Sequence, residues 1–344
     1  MPAPGDDQEA EAPPPRATHV LFGHASAEAA LLDAYRSGRV PHAFLLIGPR
    51  GIGKATLAYR MARFVFAHPD PNAAEVQKAR SLGLDPGHPV ARRVAVQAQG
   101  DLLTLERTLN DKGVLRLQIA VEDVRRTTSF FGSTAGEGGW RIAIVDAVDE
   151  LNPFGANALL KILEEPPRRS LFLLVSHSAA RVPATLRSRS RVVTMRPLDQ
   201  SDVANAVAAA TGVPADELDV AAAAAAAEGS VARALALLDA DALKLRQRAL
   251  DLLDRLPSLD DNALHGLGDA LAGTDPQTLR TFVDTVNFWL ARRVEGGAEL
   301  GRLERLAAAF ERINAAARDA ETYNLERKPL VFSVFGLLAE ATSG

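Results

Sequence analysis

Cysteine is absent from this chain, which excludes disulfides, thiolate zinc sites and cysteine nucleophiles. The seven histidines (His19, His24, His42, His68, His88, His177 and His265) show no paired ligand spacing, so any metal must be held mostly by phosphate and carboxylate. No apolar run approaches the roughly 20 residues of a membrane span. The first residues also lack an apolar signal-peptide core, so the expected location is the cytoplasm, with no membrane partner. Positive charge is not in excess either: 39 Lys and Arg stand against 43 Asp and Glu, a net charge of -4. That balance argues against a chain that coats nucleic acid by itself. Within these exclusions, 344 residues of which 47% are hydrophobic suit two or three domains, each with its own core.

The most informative stretch runs from Ala43 to Phe66. A short apolar run meets a glycine-rich turn, and a segment of helical period follows, so strand, loop and helix can be read in order. Gly48-Pro-Arg-Gly51-Ile-Gly53-Lys54 fits the P-loop pattern, in which glycines let backbone amides close around phosphate oxygens and the lysine adds charge. Ala55 stands where a magnesium-holding Ser or Thr belongs, and Thr56 lies one residue further, about 100 degrees round a helix. The plainer alternative is a glycine turn that only joins strand to helix.

Around this stretch the chain alternates. Residues 1–19 are rich in Pro, Ala and acid and read as a disordered tail. A helix is expected within Leu21–Arg39, with Ser26 as its cap, and a proline-rich loop with a short helix at residues 68–90. Apolar runs at Asp101–Glu106, Arg141–Asp146, Leu171–Ser176 and Val192–Met195 suit strands, with helices at Val121–Phe131 and Asn157–Leu163 between them. With the first strand these make five, so the expected fold class is α/β: a parallel sheet with helices on both faces. After Pro197 the pattern is helical throughout. The expected domains are 20–198 for the P-loop domain, 199–244 for a small helical lid, and 245–344 for a helical bundle.

Phosphate chemistry needs an acidic residue at the end of a neighbouring strand, and Asp146 ends Arg141–Asp146. The next position, where a water-orienting glutamate would sit, is Ala147, and Asp149 and Glu150 begin the following turn.

Residues 141–191 contain ANALLKILEEPP, then an apolar strand, then LRSRSR. This block, with PHAFLLIGPRGIGKATLA upstream, resembles bacterial clamp-loader subunits of the AAA+ class over nearly all of the chain after the tail. Within that family it is most similar to the delta-prime branch, because the ATP-hydrolysing gamma/tau subunits would carry Thr after the P-loop lysine and Glu after Asp146. The resemblance implies a subunit of the DNA polymerase III holoenzyme that closes a loader ring, with weak or absent ATPase of its own. Its implied partners are the gamma/tau and delta subunits, a sliding clamp and primer-template DNA, in a hetero-oligomer. ATP with magnesium is the implied cofactor, at a degenerate site of Gly48, Gly51, Gly53, Lys54, Thr56, Asp146 and Ser176, the last at the polar sensor position. The family's arginine finger falls on Arg189 within Ser188-Arg189-Ser190, where it would act in trans on a neighbour's ATP. On spacing alone Arg181, Arg187, Arg189, Arg191 and Arg196 also read as a solvated or DNA-facing basic patch. In the helical region the family's Gly-Ser-x-Arg becomes Gly229-Ser230-Val231-Ala232-Arg233, which turns the arginine to another helix face. The competing readings are an active gamma/tau-like ATPase that uses Lys54, Thr56 and Asp146, and another AAA+ ATPase acting on DNA.

Overall fold

Five apolar runs lie side by side as parallel strands in the computed structural model, which describes residues 13–108, 116, 118–132, 139–272, 276–295, 300–323 and 325–342. The chain runs α1 (Ala25–Arg36), β1 (Ala43–Ile47), α2 (Lys54–Ala67), α3 (Ala74–Lys78), α4 (Pro89–Ala95) and β2 (Leu102–Glu106). It continues with α5 (Val121–Gly132), β3 (Arg141–Asp146), α6 (Pro153–Glu164), β4 (Ser170–Ser176), α7 (Ala184–Ser188) and β5 (Arg191–Thr194). The sheet order is β2-β3-β4-β1-β5. The expected parallel five-stranded sheet is therefore present. Expectations at residues 1–12 lie outside the described residues.

Strand alternation divides the core in two. Phe44, Leu46, Ile142, Ile144, Leu171 and Leu173 pack with α1 and α2 on one face. Ala43, Leu45, Ala143, Val145, Phe172 and Leu174 pack with α5 and α6 on the other. Every residue of β1 and β4 is buried, as period-two side chains require when helices cover both faces.

One detail departs from the sequence reading. Ser26 lies inside α1; the N-cap is His24, which makes no side-chain cap bond because its ring is committed elsewhere. Residues 68–90 form the expected loop with one short helix, α3, before α4 begins at Pro89, and directed bonds hold the loop as well as packing. Tyr35 Oη donates to His68 O, Trp140 Nε1 to Pro69 O at 2.9 Å, and Arg36 Nη2 to Ala79 O at 2.9 Å. On α2 the buried Arg63 donates to Arg16 O at 2.9 Å and to Thr18 O at 2.6 Å, while Arg60 pairs with Glu28 at 2.6 Å. Those bonds pin the segment that precedes α1.

After β5 come α8 (Gln200–Thr211), α9 (Leu218–Ala226) and α10 (Val231–Ala236). One compact unit ends at Ala234 and a second begins at Leu235. The second holds α11 (Ala240–Leu253), α12 (Asp261–Leu271), α13 (Pro276–Glu295), α14 (Leu300–Tyr323) and α15 (Arg327–Thr342) around Leu253, Phe282, Val286, Ile313 and Phe335. Asn287 and Asn314 exchange amide hydrogen bonds of 3.0 and 2.9 Å, which set the register of α13 against α14. No described helix is long and apolar enough to cross a membrane.

Candidate functional site

Parallel strands place all their carboxyl ends at one edge, and open α/β sheets bind ligands there. The P-loop follows β1, Arg107 follows β2, Asp146 ends β3, and Ser176-His177 ends β4. Register aligns Ile47 with Ser176 and places Asp146 between Glu106 and Val175. Sequence-distant groups thus meet at one edge.

The loop itself is internally satisfied. Lys54 is buried, and its ammonium donates to Gly48 O at 2.7 Å and to Pro49 O. Ser230 Oγ donates to Arg50 O at 3.0 Å, the Ala232 amide to Gly51 O at 3.3 Å, and His24 Nε2 to Ile52 O at 2.7 Å. Each carbonyl from Gly48 to Ile52 therefore holds a donor. Two glycines are required by close approach: a Cβ on Gly48 would stand 2.3 Å from Met195 O, and one on Gly51 2.4 Å from Ser230 Oγ and 2.7 Å from Ala232 Cβ. Gly51 also has φ of +78°, and Gly53, the N-cap of α2, has φ of +102°. Ser230 and Ala232 thus close directly onto the loop.

Electrostatics at the edge follow from burial. Desolvation pushes Lys54 down to about 8, against the opposing charges of Asp146 and Asp149. Burial raises Asp146, opposed by Lys54 and reinforced by Glu106. His177 is pushed down to about 3 by burial and then by Lys54, Arg50 and Arg107, so its ring is neutral. Asp149 Oδ1 accepts from the His177 amide at 3.1 Å. Glu150 is held by Arg50 at 2.6 Å and Arg107 at 2.8 Å. Ser176 Oγ is buried and closes a local turn, donating to Ser178 O and accepting from Ser178 N, both at 3.1 Å.

The amides of Gly51, Gly53 and Lys54 donate to no acceptor among the described residues, which is the kind of donor set that a nucleotide's phosphates would require. The fit for magnesium is poorer. Asp146 is in place, but the residue after Lys54 is Ala55, which has no hydroxyl, and Thr56 sits half-buried on α2. Bound, the pair would supply a polarised phosphate; Lys54 and Asp146 are the residues that would hold it.

Arg189 lies elsewhere, at the C-cap of α7. Its side chain is 38% exposed and pairs with Glu164, itself 52% exposed, at 2.8 Å. Arg181, Arg187, Arg191 and Arg196 are also exposed. Arg233 pairs with Glu228 at 2.6 Å.

Sequence reasoning missed His24, Arg107 and His177, and it valued Ser230 only as a marker for the arginine after it. Arg107 and His177 could have been found from their places just beyond strand ends. Nothing in the pattern announces His24, whose role depends on a contact 28 residues away.

A family model described as DNA polymerase III, delta subunit, matches residues 23–199, just over half of the chain. The chain belongs to the DNA polymerase III delta-prime/clamp-loader family. Among relatives in that family, DNA polymerase III subunit delta' of Pseudomonas aeruginosa is 32% identical over 148 residues, 43% of this chain and 41% of that one. DNA polymerase III subunit gamma/tau of Mycobacterium tuberculosis (strain H37Rv) is 29% identical over 278 residues, 77% of this chain and 44% of that one. The matched region spans less than half the length of each of these relatives. A DNA polymerase III gamma subunit-related protein of Thermotoga maritima aligns at a TM-score of 0.45 and 14% identity, over 90% of this chain and 99% of that one.

Proposed function

We propose that this chain is a delta-prime-type clamp-loader subunit that hydrolyses no ATP itself, closes the loader ring, and donates Arg189 to ATP bound by a neighbouring subunit. The observation that carries this reading is an asymmetry of commitment. In the chain's own pocket Lys54 faces its own loop carbonyls, Glu150 is held by two arginines, and the hydroxyl and glutamate positions are Ala55 and Ala147. Arg189, by contrast, is exposed and its guanidinium is tied, among the described residues, only to a surface carboxylate and to Thr185 O at 3.2 Å. An exposed pair of this kind is worth about 0–1 kcal/mol, so a partner's phosphate can draw the guanidinium away at small cost. The partners are gamma/tau- and delta-type subunits, with the sliding clamp and primer-template DNA engaged by the assembly.

The gamma/tau reading has one observation in its favour, the match over 77% of this chain. Hydrolysis by the isolated protein separates the two. The delta-prime reading expects turnover at background, whereas robust turnover that collapses in Lys54→Ala would establish the alternative. The class itself is tested by native mass measurement with the other loader subunits: a stable hetero-oligomer containing this chain is expected, and a homo-oligomer that excludes them would refute it.

A further inference from the structure

Arg50 is at the tip of the P-loop and Arg107 follows the last residue of β2, yet their guanidinium groups converge on one carboxylate. Arg50 Nη2 is 2.6 Å from Glu150 Oε1, and Arg107 Nε is 2.8 Å from Glu150 Oε2, so each oxygen has its own cation. The Glu150 side chain is 15% exposed, against 61% for Arg50. Its backbone is fixed: the Glu150 amide donates to Ala147 O at 3.1 Å, and Glu150 O accepts from the Ile119 amide at 3.0 Å. Burial raises its pKa and the two arginines, Arg107 before Arg50, oppose that rise. A side chain on a rigid base, with both oxygens engaged, occupies space that two guanidinium groups make favourable for an oxyanion.

We propose that Glu150 is an internal plug: its carboxylate occupies a seat for a phosphate oxyanion formed by Arg50 and Arg107, and it must leave before the phosphate chain of a nucleoside triphosphate can settle against the P-loop. This inference rests on reading the chain's own loop as a phosphate pocket. It does not depend on the donation of Arg189. By holding Arg50, whose carbonyl accepts from Ser230 Oγ, the plug also keeps the loop in its sealed form. Binding to a protein whose competent state is rarely populated is weakened by the fraction of time that state is open, so removal of the plug restores affinity without adding any contact.

The test is titration calorimetry on the full chain with ATP, ADP and pyrophosphate in parallel. Glu150→Gln removes the charge at nearly constant shape and is expected to tighten ATP binding about tenfold or more. A gain shared by pyrophosphate assigns the seat to a phosphate group alone, and a gain confined to ATP assigns it to the third phosphate; either supports the plug. Glu150→Asp, which keeps the charge but retracts it by one methylene, gives a smaller gain and serves where the Gln variant fails to fold. Adding Arg50→Gln to either variant should cancel the gain. Affinities within twofold of the parent in a folded Glu150 variant, or a gain that survives the loss of Arg50, would overturn the proposal.

Discussion

Gly51→Ala tests whether the P-loop of this chain is a sealed joint. The new Cβ would lie 2.4 Å from Ser230 Oγ and 2.7 Å from Ala232 Cβ, distances that real contacts do not reach, so the start of α10 must move. That movement gives up the Ser230–Arg50 and Ala232–Gly51 hydrogen bonds, each worth about 0.5–1.5 kcal/mol. Holding alanine at φ of +78° adds about 1–2 kcal/mol. The expected loss is about 2–5 kcal/mol in the N-terminal unit. The chain has two tryptophans, and Trp140 reports on that unit once Trp289 is replaced by Phe. Guanidinium unfolding followed by Trp140 fluorescence in that background gives the change in midpoint. A double variant Gly51→Ala/Ala232→Gly should recover only the part due to the Ala232 Cβ contact and keep the parts due to Ser230 Oγ and to φ. A shift below about 0.5 kcal/mol in the single variant would refute the reasoning.

Two further outcomes follow from buried cations and a neutral ring. His177 has a folded-state pKa of about 3 against an ordinary 6.5, so the unfolded chain takes up the proton first. Its contribution is intact above 6.5 and is lost as pH falls toward 3, at up to about 1.4 kcal/mol per unit. His177→Asn should therefore shrink the stability difference between pH 7 and pH 5 by about 2 kcal/mol, measured by denaturant titration; an unchanged difference would contradict a neutral buried ring. Arg63→Met leaves the carbonyls of Arg16 and Thr18 without their donors, a cost of about 1–3 kcal/mol each. Trypsin should then cut after Arg16 at least about thirtyfold faster than in the parent, and equal rates would show that Arg63 does not hold that segment.

The sheet was legible because its strands are buried on both faces. Arg141–Asp146 and Leu171–Ser176 need apolar residues at nearly every position, and glycine and proline punctuate the segments between them. Helix ends were less legible. Ser26 has the right chemistry for a cap, yet the chain begins α1 one residue after His24, whose ring is used by the P-loop. The glycines and Lys54 were readable as a motif, but what satisfies them was not, since Ser230 reaches Arg50 across 180 residues of sequence. Glu150 read only as an acid of the turn after Asp146, because the two arginines that hold it come from a loop tip and a strand end that only the fold brings together.

The central claim is that the group this chain contributes to hydrolysis acts in a neighbour's site. Arg189→Ala removes a pair worth at most about 1 kcal/mol, so folding and the native mass of the reconstituted loader should be unchanged. Loss of an arginine finger slows the site it serves by about 10³-fold or more. The pre-steady-state burst of ATP hydrolysis by the complex should then fall by one site per assembly, while Glu164→Ala, which frees the guanidinium, leaves the burst intact. A full burst from a loader built with Arg189→Ala would contradict the account.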